Sequence, residues 1–281
     1  NCVFNAELLM QRKTELQQLY KEKPYKQGFF KFKWHDEESK DFILNSTIEF
    51  AESPVGMIKM YQEPKAHGFY VLGGDTAGDG SDFFAGTMID NTTGKRVATL
   101  HGKIEADIYT WQMYCLGMYY NQALVSIEIN FNIFPVIELK RLKYPRQYTR
   151  EEYDSKSKKM QEKYGWKTDG NTRPLIISEE QSVIKDHPEL FTDITMIDEA
   201  LTFVYDENMR PDATEGKHDD MLFSDMIAQA TRWQQNVEVK PTRPLQGFFT
   251  PTELEDLGYI DNNTPKAQVM NRPVSNRRRR R

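Results

Sequence analysis

The chain has 281 residues and a mass of 32.9 kDa, enough for one large α/β domain with appendages, and its 38% hydrophobic and 28% charged composition fits a moderate core under long polar surface segments. Its formal charge of −5 hides an asymmetry, because Arg277 to Arg281 hold five of the 37 basic residues and the remaining 32 face 42 acidic ones. An acidic body excludes nucleic-acid binding by overall charge, so any DNA contact must use local basic patches, metal ions or the arginine run, which is otherwise a solvated end.

Residues 5 to 22 set Leu8, Leu9, Leu16, Leu19 and Tyr20 among charged residues at helical spacing, and Lys23-Pro24 ends that helix. Strand-like runs follow at Gly28 to Trp34, Phe42 to Phe50 and Gly56 to Tyr61. A central block then begins at Gly68. Phe69 to Gly74, Asp82 to Asp90 and Lys95 to His101 read as three sequential antiparallel strands, with Asp90-Asn-Thr-Thr-Gly94 supplying turn residues.

Thr110 to Asn121 is an aromatic-rich helix, and Ala123 to Asn130 is a buried strand, being too short and β-branched for a helix. A helix crossing between two strands implies that they pair in parallel. Phe134 to Leu142 reads as a helix, Lys143 to Gly170 as a polar loop or excursion, 178 to 186 as a short helix and Ile194 to Ile197 as a strand. Asp198 to Tyr205 fits a helix or a further strand, and Met221 to Gln234 is an amphipathic helix with Met221, Leu222, Met226, Ile227, Ala230 and Trp233 on one face. Beyond about Asn236 the chain is rich in Pro, Asn and Arg, apart from a capped turn at Thr250-Pro-Thr-Glu253.

Cys2 and Cys115 match no metal-ligand spacing and no disulfide framework. No run approaches the ~20 apolar residues of a membrane span, and the N-terminus lacks a secretory signal. These features predict a reducing, cytosolic setting. An initial Asn in place of Met suggests a piece of a longer protein.

Three acidic stations carry the chemical argument. Asp75 ends the apolar run Tyr70-Val-Leu-Gly-Gly, in a stretch that also holds Asp79 and Asp82. That stretch is either an Asp- and Gly-rich turn or a loop presenting one or two carboxylates to a cation. Glu128 lies inside the run Leu124-Val-Ser-Ile-Glu-Ile-Asn130, where a charge needs a partner, either a Lys or Arg or a cation, and Asn130 on its face offers a further oxygen. Asp219 and Asp220 precede an amphipathic helix; capping explains one of them, and His218 beside them is more often structural than a ligand. Gathered on one sheet edge, the three stations permit a site for two Mg²⁺ or Mn²⁺ ions acting on a phosphodiester.

The ordered segments Tyr70-Val-Leu-Gly-Gly-Asp-Thr-Ala-Gly-Asp-Gly-Ser-Asp82, Ser126-Ile-Glu-Ile-Asn130, Tyr164-Gly-Trp-Lys-Thr168 with Arg173-Pro-Leu-Ile-Ile177, and Gly216-Lys-His-Asp-Asp-Met-Leu-Phe-Ser-Asp-Met-Ile-Ala228 resemble the nuclease domain of tailed-bacteriophage terminase large subunits, the DNA-packaging proteins. The resemblance spans roughly residues 55 to 235. It implies a ribonuclease H-like α/β fold: a mixed central sheet of three antiparallel strands followed by parallel strands, with helices on both faces. It also implies an endonuclease that cuts concatemeric double-stranded viral DNA with little sequence preference, in the host cytoplasm and with no membrane partner. Asp75, Glu128 and Asp220 would be catalytic metal ligands for two Mg²⁺ or Mn²⁺ ions, with Asp219 adjacent, Asp82 auxiliary, and Asn130 and His218 accessory. Residues 1–27 would connect to an absent ATPase domain, 28–236 form the nuclease and 237–281 an extended basic-ended tail. Portal protein and small terminase subunit would be partners of the full-length protein.

This chain has no Gly-x-x-x-x-Gly-Lys-Ser/Thr loop, so no motor activity is expected of it. A restriction-type fold needs an acid-x-Lys triplet, and Glu128-Ile-Asn130 lacks the lysine. An actin-like ATPase or kinase lobe would need a second phosphate loop. A non-catalytic capsid or portal docking module of the same fold is the remaining alternative, opposed by the acidic set.

Overall fold

The computed structural model describes residues 2–77, 83–154 and 158–236. In chain order the elements are α1 (Ala6–Glu22), β1 (Lys26–Lys31), β2 (Glu49–Glu52), β3 (Ile58–Met60), β4 (Tyr70–Asp75), β5 (Phe84–Asp90), β6 (Arg96–Gly102), α2 (Ala106–Tyr119) and β7 (Leu124–Ile127). They continue with α3 (Phe134–Arg141), β8 (Thr149–Asp154), β9 (Lys159–Tyr164), α4 (Thr172–Asp186), α5 (Ile194–Thr202), β10 (Phe203–Tyr205), β11 (Pro211–Ala213) and α6 (Asp220–Thr231). The tail beyond residue 236, its expected turn at Thr250, and Asp79 and Asp82 lie outside the described residues.

Seven strands form one mixed sheet in the order β2-β1-β3-β6-β5-β4-β7. The expected antiparallel trio β4, β5 and β6 is present, and β7 pairs parallel to β4, with Gly74 opposite Ile127. Alternation along β4 divides the core: Tyr70 and Leu72 pack on the side of α2 and α3 with Met113, Leu116 and Leu139, whereas Val71 faces the side of α6 with Ala228. On that second side α1, α4, α5 and α6 close a further apolar cluster containing Leu9, Leu16, Ile176, Met196 and Met226. Helices therefore cover both faces of the sheet. No helix among the described residues is long and apolar enough to cross a membrane.

Helix α6 lies close against β4 because β4 carries Gly73. A Cβ there would meet the Ser224 carbonyl oxygen at 2.1 Å and the Ala228 nitrogen at 2.5 Å. Thr87 on β5 and Ser224 on α6 share a buried hydroxyl–hydroxyl hydrogen bond of 2.7 Å across the same contact.

Several sequence expectations are corrected. Phe42 to Phe50 is not one strand: the Leu44 carbonyl accepts both the amide and the hydroxyl of Thr47, at 2.9 and 2.7 Å, and this local pairing makes a short 3₁₀ turn at Asn45–Thr47 before β2. Ile194 to Ile197 is the start of α5, because buried Asp193 caps it by accepting the Thr195 amide at 2.7 Å. The excursion from Lys143 to Gly170 contains the β8–β9 hairpin, whose largely exposed side chains leave no apolar alternation. The helix expected at 178 to 186 begins at Thr172, since Pro174 falls in its first turn, where a missing amide hydrogen costs nothing.

Candidate active site

Asp75 is the last residue of β4 and Glu128 the first beyond β7, so the parallel register puts them side by side at the carboxyl ends of neighbouring strands, where open α/β sheets bind ligands. The Glu128 amide donates to the Gly74 carbonyl at 2.9 Å, and on its other side Ile127 and Ile129 pair with Trp166. Both carboxylates are buried, Asp75 at 9% and Glu128 at 4% exposure. Burial raises the Asp75 carboxyl well above the usual carboxylate range, and the charge and hydrogen bond of Glu128 and the fields of Asp220 and Asp219 add to it. Among the described residues the partner of Glu128 is thus another acid, with no Lys or Arg paired to it.

Asp219 occupies the N-cap position of α6 without making a side-chain cap hydrogen bond. The cap comes from α5: Glu199 accepts the Leu222 amide at 2.9 Å. Asp219 therefore turns toward the cavity instead of serving its own helix. Burial pushes its carboxyl up to about 6 against the opposing charge of Arg173, with Asp212 and Asp220 adding to the rise. Asp220 opens the helix, 3.6 Å from the Nδ1 of His218, a ring that stands edge-on to Phe83 at 5.1 Å.

One cavity of about 800 Å³ joins these positions. Asp75, Glu128, Asp219 and Asp220 line it together with Asn130 and His218, and Arg173, Lys217 and Arg210 add cationic side chains to the same wall. Arg173 is held across the ring of Phe223 at 4.5 Å and donates to the Pro211 carbonyl at 3.1 Å. The amide of Asn130 is engaged on both atoms by the backbone of Thr168, at 2.5 and 3.1 Å, and so fastens the segment after Trp166 to the end of β7. Asp82 lies outside the described residues.

Sequence reasoning missed Glu199 and His101. Glu199 is a buried acid in the helix mistaken in part for a strand, and no local signal distinguishes it from a surface glutamate. His101 ends a predicted strand; burial lowers its imidazole to about 4, with Lys59 and His218 acting in the same direction against Asp193.

The donor set is hard and anionic: converging carboxylate oxygens, with the Asp75 and Asp219 carboxyls raised and no basic side chain among the groups that act most on Asp75. Such a set fits hard divalent cations. No family model matches the chain, and neither does any curated protein. Among solved structures, the large terminase nuclease from thermophilic phage G20c with bound magnesium aligns with a TM-score of 0.51 and 14% identity, over 63% of this chain and 89% of that chain. The large terminase nuclease domain of Thermus phage P74-26 aligns with a TM-score of 0.48 and 16% identity, over 63% of this chain and 86% of that one. The chain has the ribonuclease H-like fold of the G20c nuclease, with a seven-stranded mixed sheet.

Proposed function

We propose that this chain is a metal-dependent endodeoxyribonuclease that cuts double-stranded viral DNA with little sequence preference. The observation that carries the reading is the Asp75–Glu128 pair, two buried carboxylates in contact on adjacent strand ends, facing Asp219 and Asp220 across one cavity. Asp75, Glu128 and Asp220 would hold two Mg²⁺ or Mn²⁺ ions, with Asp219 beside them and Asp82 auxiliary. When bound, these ions supply Lewis acidity toward the phosphodiester and a water acidified for attack. The protein's own part is to preorganise the carboxylates on rigid strand ends and a helix start. Arg173, Lys217 and Arg210 on the cavity wall can receive flanking phosphates, which an otherwise acidic body requires. The magnesium bound in the G20c nuclease of the same fold supports the choice of cation.

In this reading the substrate is concatemeric DNA during genome packaging in the host bacterial cytoplasm. Residues 28–236 are the nuclease, 1–27 lead to an ATPase domain of a longer protein, and 237–281 form a basic-ended tail. Contacts with a portal protein and a small terminase subunit would belong to that longer protein. The test is supercoiled plasmid incubated with the chain and Mg²⁺ or Mn²⁺. Nicking and linearisation are expected, lost with chelator and in Asp75→Ala. Intact plasmid under every metal condition would refute the nuclease and favour a non-catalytic docking module.

A further inference from the structure

Beside the catalytic cavity three potential ligands converge from three elements: His101 at the end of β6 and Glu199 in α5, neither of which lines the cavity, and Asp220 at the start of α6, which does. One ligand atom from each lies within 4.8 Å of the others. Neighbouring ligands sitting ~2.0–2.2 Å from one tetrahedral ion are about 3.4 Å apart, so closing the set on an ion draws the three side chains together by up to about 1.4 Å.

Two independent features mark His101 and Glu199 as groups that a bound cation would satisfy. The Nε2 of His101 is shielded from solvent and has no hydrogen-bond partner among the described residues, an arrangement that forfeits the hydration of that atom. Phe83, stacked on the ring at 4.4 Å, fixes its plane. Glu199 is 7% exposed, and the charged groups acting on it are Asp220, Asp219 and Asp193, all of its own sign. Among the described residues the Leu222 amide is what opposes these charges, and it also aims the carboxylate as an outer-sphere hydrogen bond aims a ligand.

We propose that His101, Glu199 and Asp220 bind a single first-row transition-metal dication, at a site separate from the Asp75–Glu128 pair and joined to it through the Asp220 carboxylate. One imidazole nitrogen with two carboxylates suits Mn²⁺, Co²⁺ or Zn²⁺ better than Mg²⁺, which prefers oxygen ligands and retains its water. An ion there ties β6 and α5 to the first turn of α6 and fixes the direction of Asp220. The site shares Asp220 with the nuclease reading, but its other two ligands, His101 and Glu199, do not line the cavity.

The experiment uses the full chain, stripped with chelator and titrated with Co²⁺ and Mn²⁺. The double variant Asp75→Asn, Glu128→Gln removes the two strand-end ligands of the cavity and leaves Asp219 and Asp220 in place. We expect it to keep one equivalent of Co²⁺ by calorimetry and elemental analysis, and adding His101→Ala or Glu199→Gln to weaken that binding at least about tenfold. Pulsed electron paramagnetic resonance of the Mn²⁺-loaded protein should show nitrogen coupling that survives His218→Ala and vanishes in His101→Ala. A double variant that binds no Co²⁺ overturns the proposal. So does a spectrum without nitrogen coupling in the unsubstituted chain, a result that needs no variant to fold. Loss of plasmid cleavage bears on the cavity alone and leaves these readouts unchanged.

Discussion

The carbonyl of Gly74 accepts the amide of Glu128 at 2.9 Å, one residue past the last parallel pair of β4 and β7. That bond fixes the register which brings Asp75 and Glu128 into contact, and a slip of one residue would send Glu128 to the opposite face of the sheet. The site is therefore a property of the strand pairing, and its acids are mutually repelling until something positive is bound.

Replacing Asp75 with Asn removes one member of this repelling pair while keeping its shape. Without metal we expect Asp75→Asn to raise stability by about 1 kcal/mol, or ~2–4 °C in the melting temperature of a domain this size. Cleavage should fall by at least ~10³-fold, about 4 kcal/mol of barrier, and the stabilisation that Mn²⁺ gives the unsubstituted chain should shrink. Calorimetric melting with and without Mn²⁺, paired with plasmid nicking, tests all three; a metal-free melting point that drops by several degrees contradicts the account.

Asp219 sets a pH dependence. Its carboxyl is raised to about 6, chiefly by burial, from an ordinary value near 4, so the folded chain holds that proton more tightly than the unfolded one. Its contribution to stability is present in full below pH ~4 and is lost as pH rises through about 6. Cation binding runs the opposite way, because it needs the carboxylate form. Apparent Mn²⁺ affinity should climb from pH 5 to 7 and then flatten, and Asp219→Asn should climb less steeply. Titration calorimetry across that range decides it.

Much of this arrangement is legible in the residues. Asp75 and Glu128 stand out because each interrupts an apolar run, and the helix between them gives the parallel pairing of β4 and β7. Other parts are set by tertiary contacts that leave no local pattern. Ile194-Thr-Met-Ile197 has a strand's composition, yet the Asp193 cap and burial against α1 and α6 make it helical. The β8–β9 hairpin exposes both faces and so shows no alternation. Asp219 reads as a cap residue, but Glu199 from another helix supplies the cap, a relation invisible at a separation of more than twenty residues.

Gly73 offers a packing test. Gly73→Ala should destabilise by ~1–3 kcal/mol, because its methyl group would meet the backbone of α6 at Ser224 and Ala228, which cannot step aside as a flexible side chain could. Displacing α6 also moves Asp219 and Asp220, so cation affinity should fall with stability. Gly170→Ala, where nothing lies within 4 Å, is the matched control and should be nearly neutral. Urea unfolding of the two variants gives the comparison; equal midpoints would show that α6 does not depend on this close approach.

Arg96 is the largest fully buried side chain among the described residues, pairing with Asp225 on α6 through two nitrogens and with Glu180 on α4 at 3.5 Å, while the ring of Phe191 covers its guanidinium at 4.0 Å. Burial and the charge of Asp225 raise the Glu180 carboxyl well above its usual range, with Arg96 opposing. Arg96→Met strands the charge of Asp225 in a dry core, and we expect a loss of ~3–5 kcal/mol. The triple replacement Arg96→Met, Asp225→Leu, Glu180→Leu leaves no charge behind and should recover most of that loss, since an apolar set of similar volume avoids desolvation altogether. Urea midpoints of the single and triple variants measure this coupling. A triple variant no more stable than Arg96→Met alone would mean that the ion cluster holds α4 and α6 in register by geometry that apolar packing cannot replace.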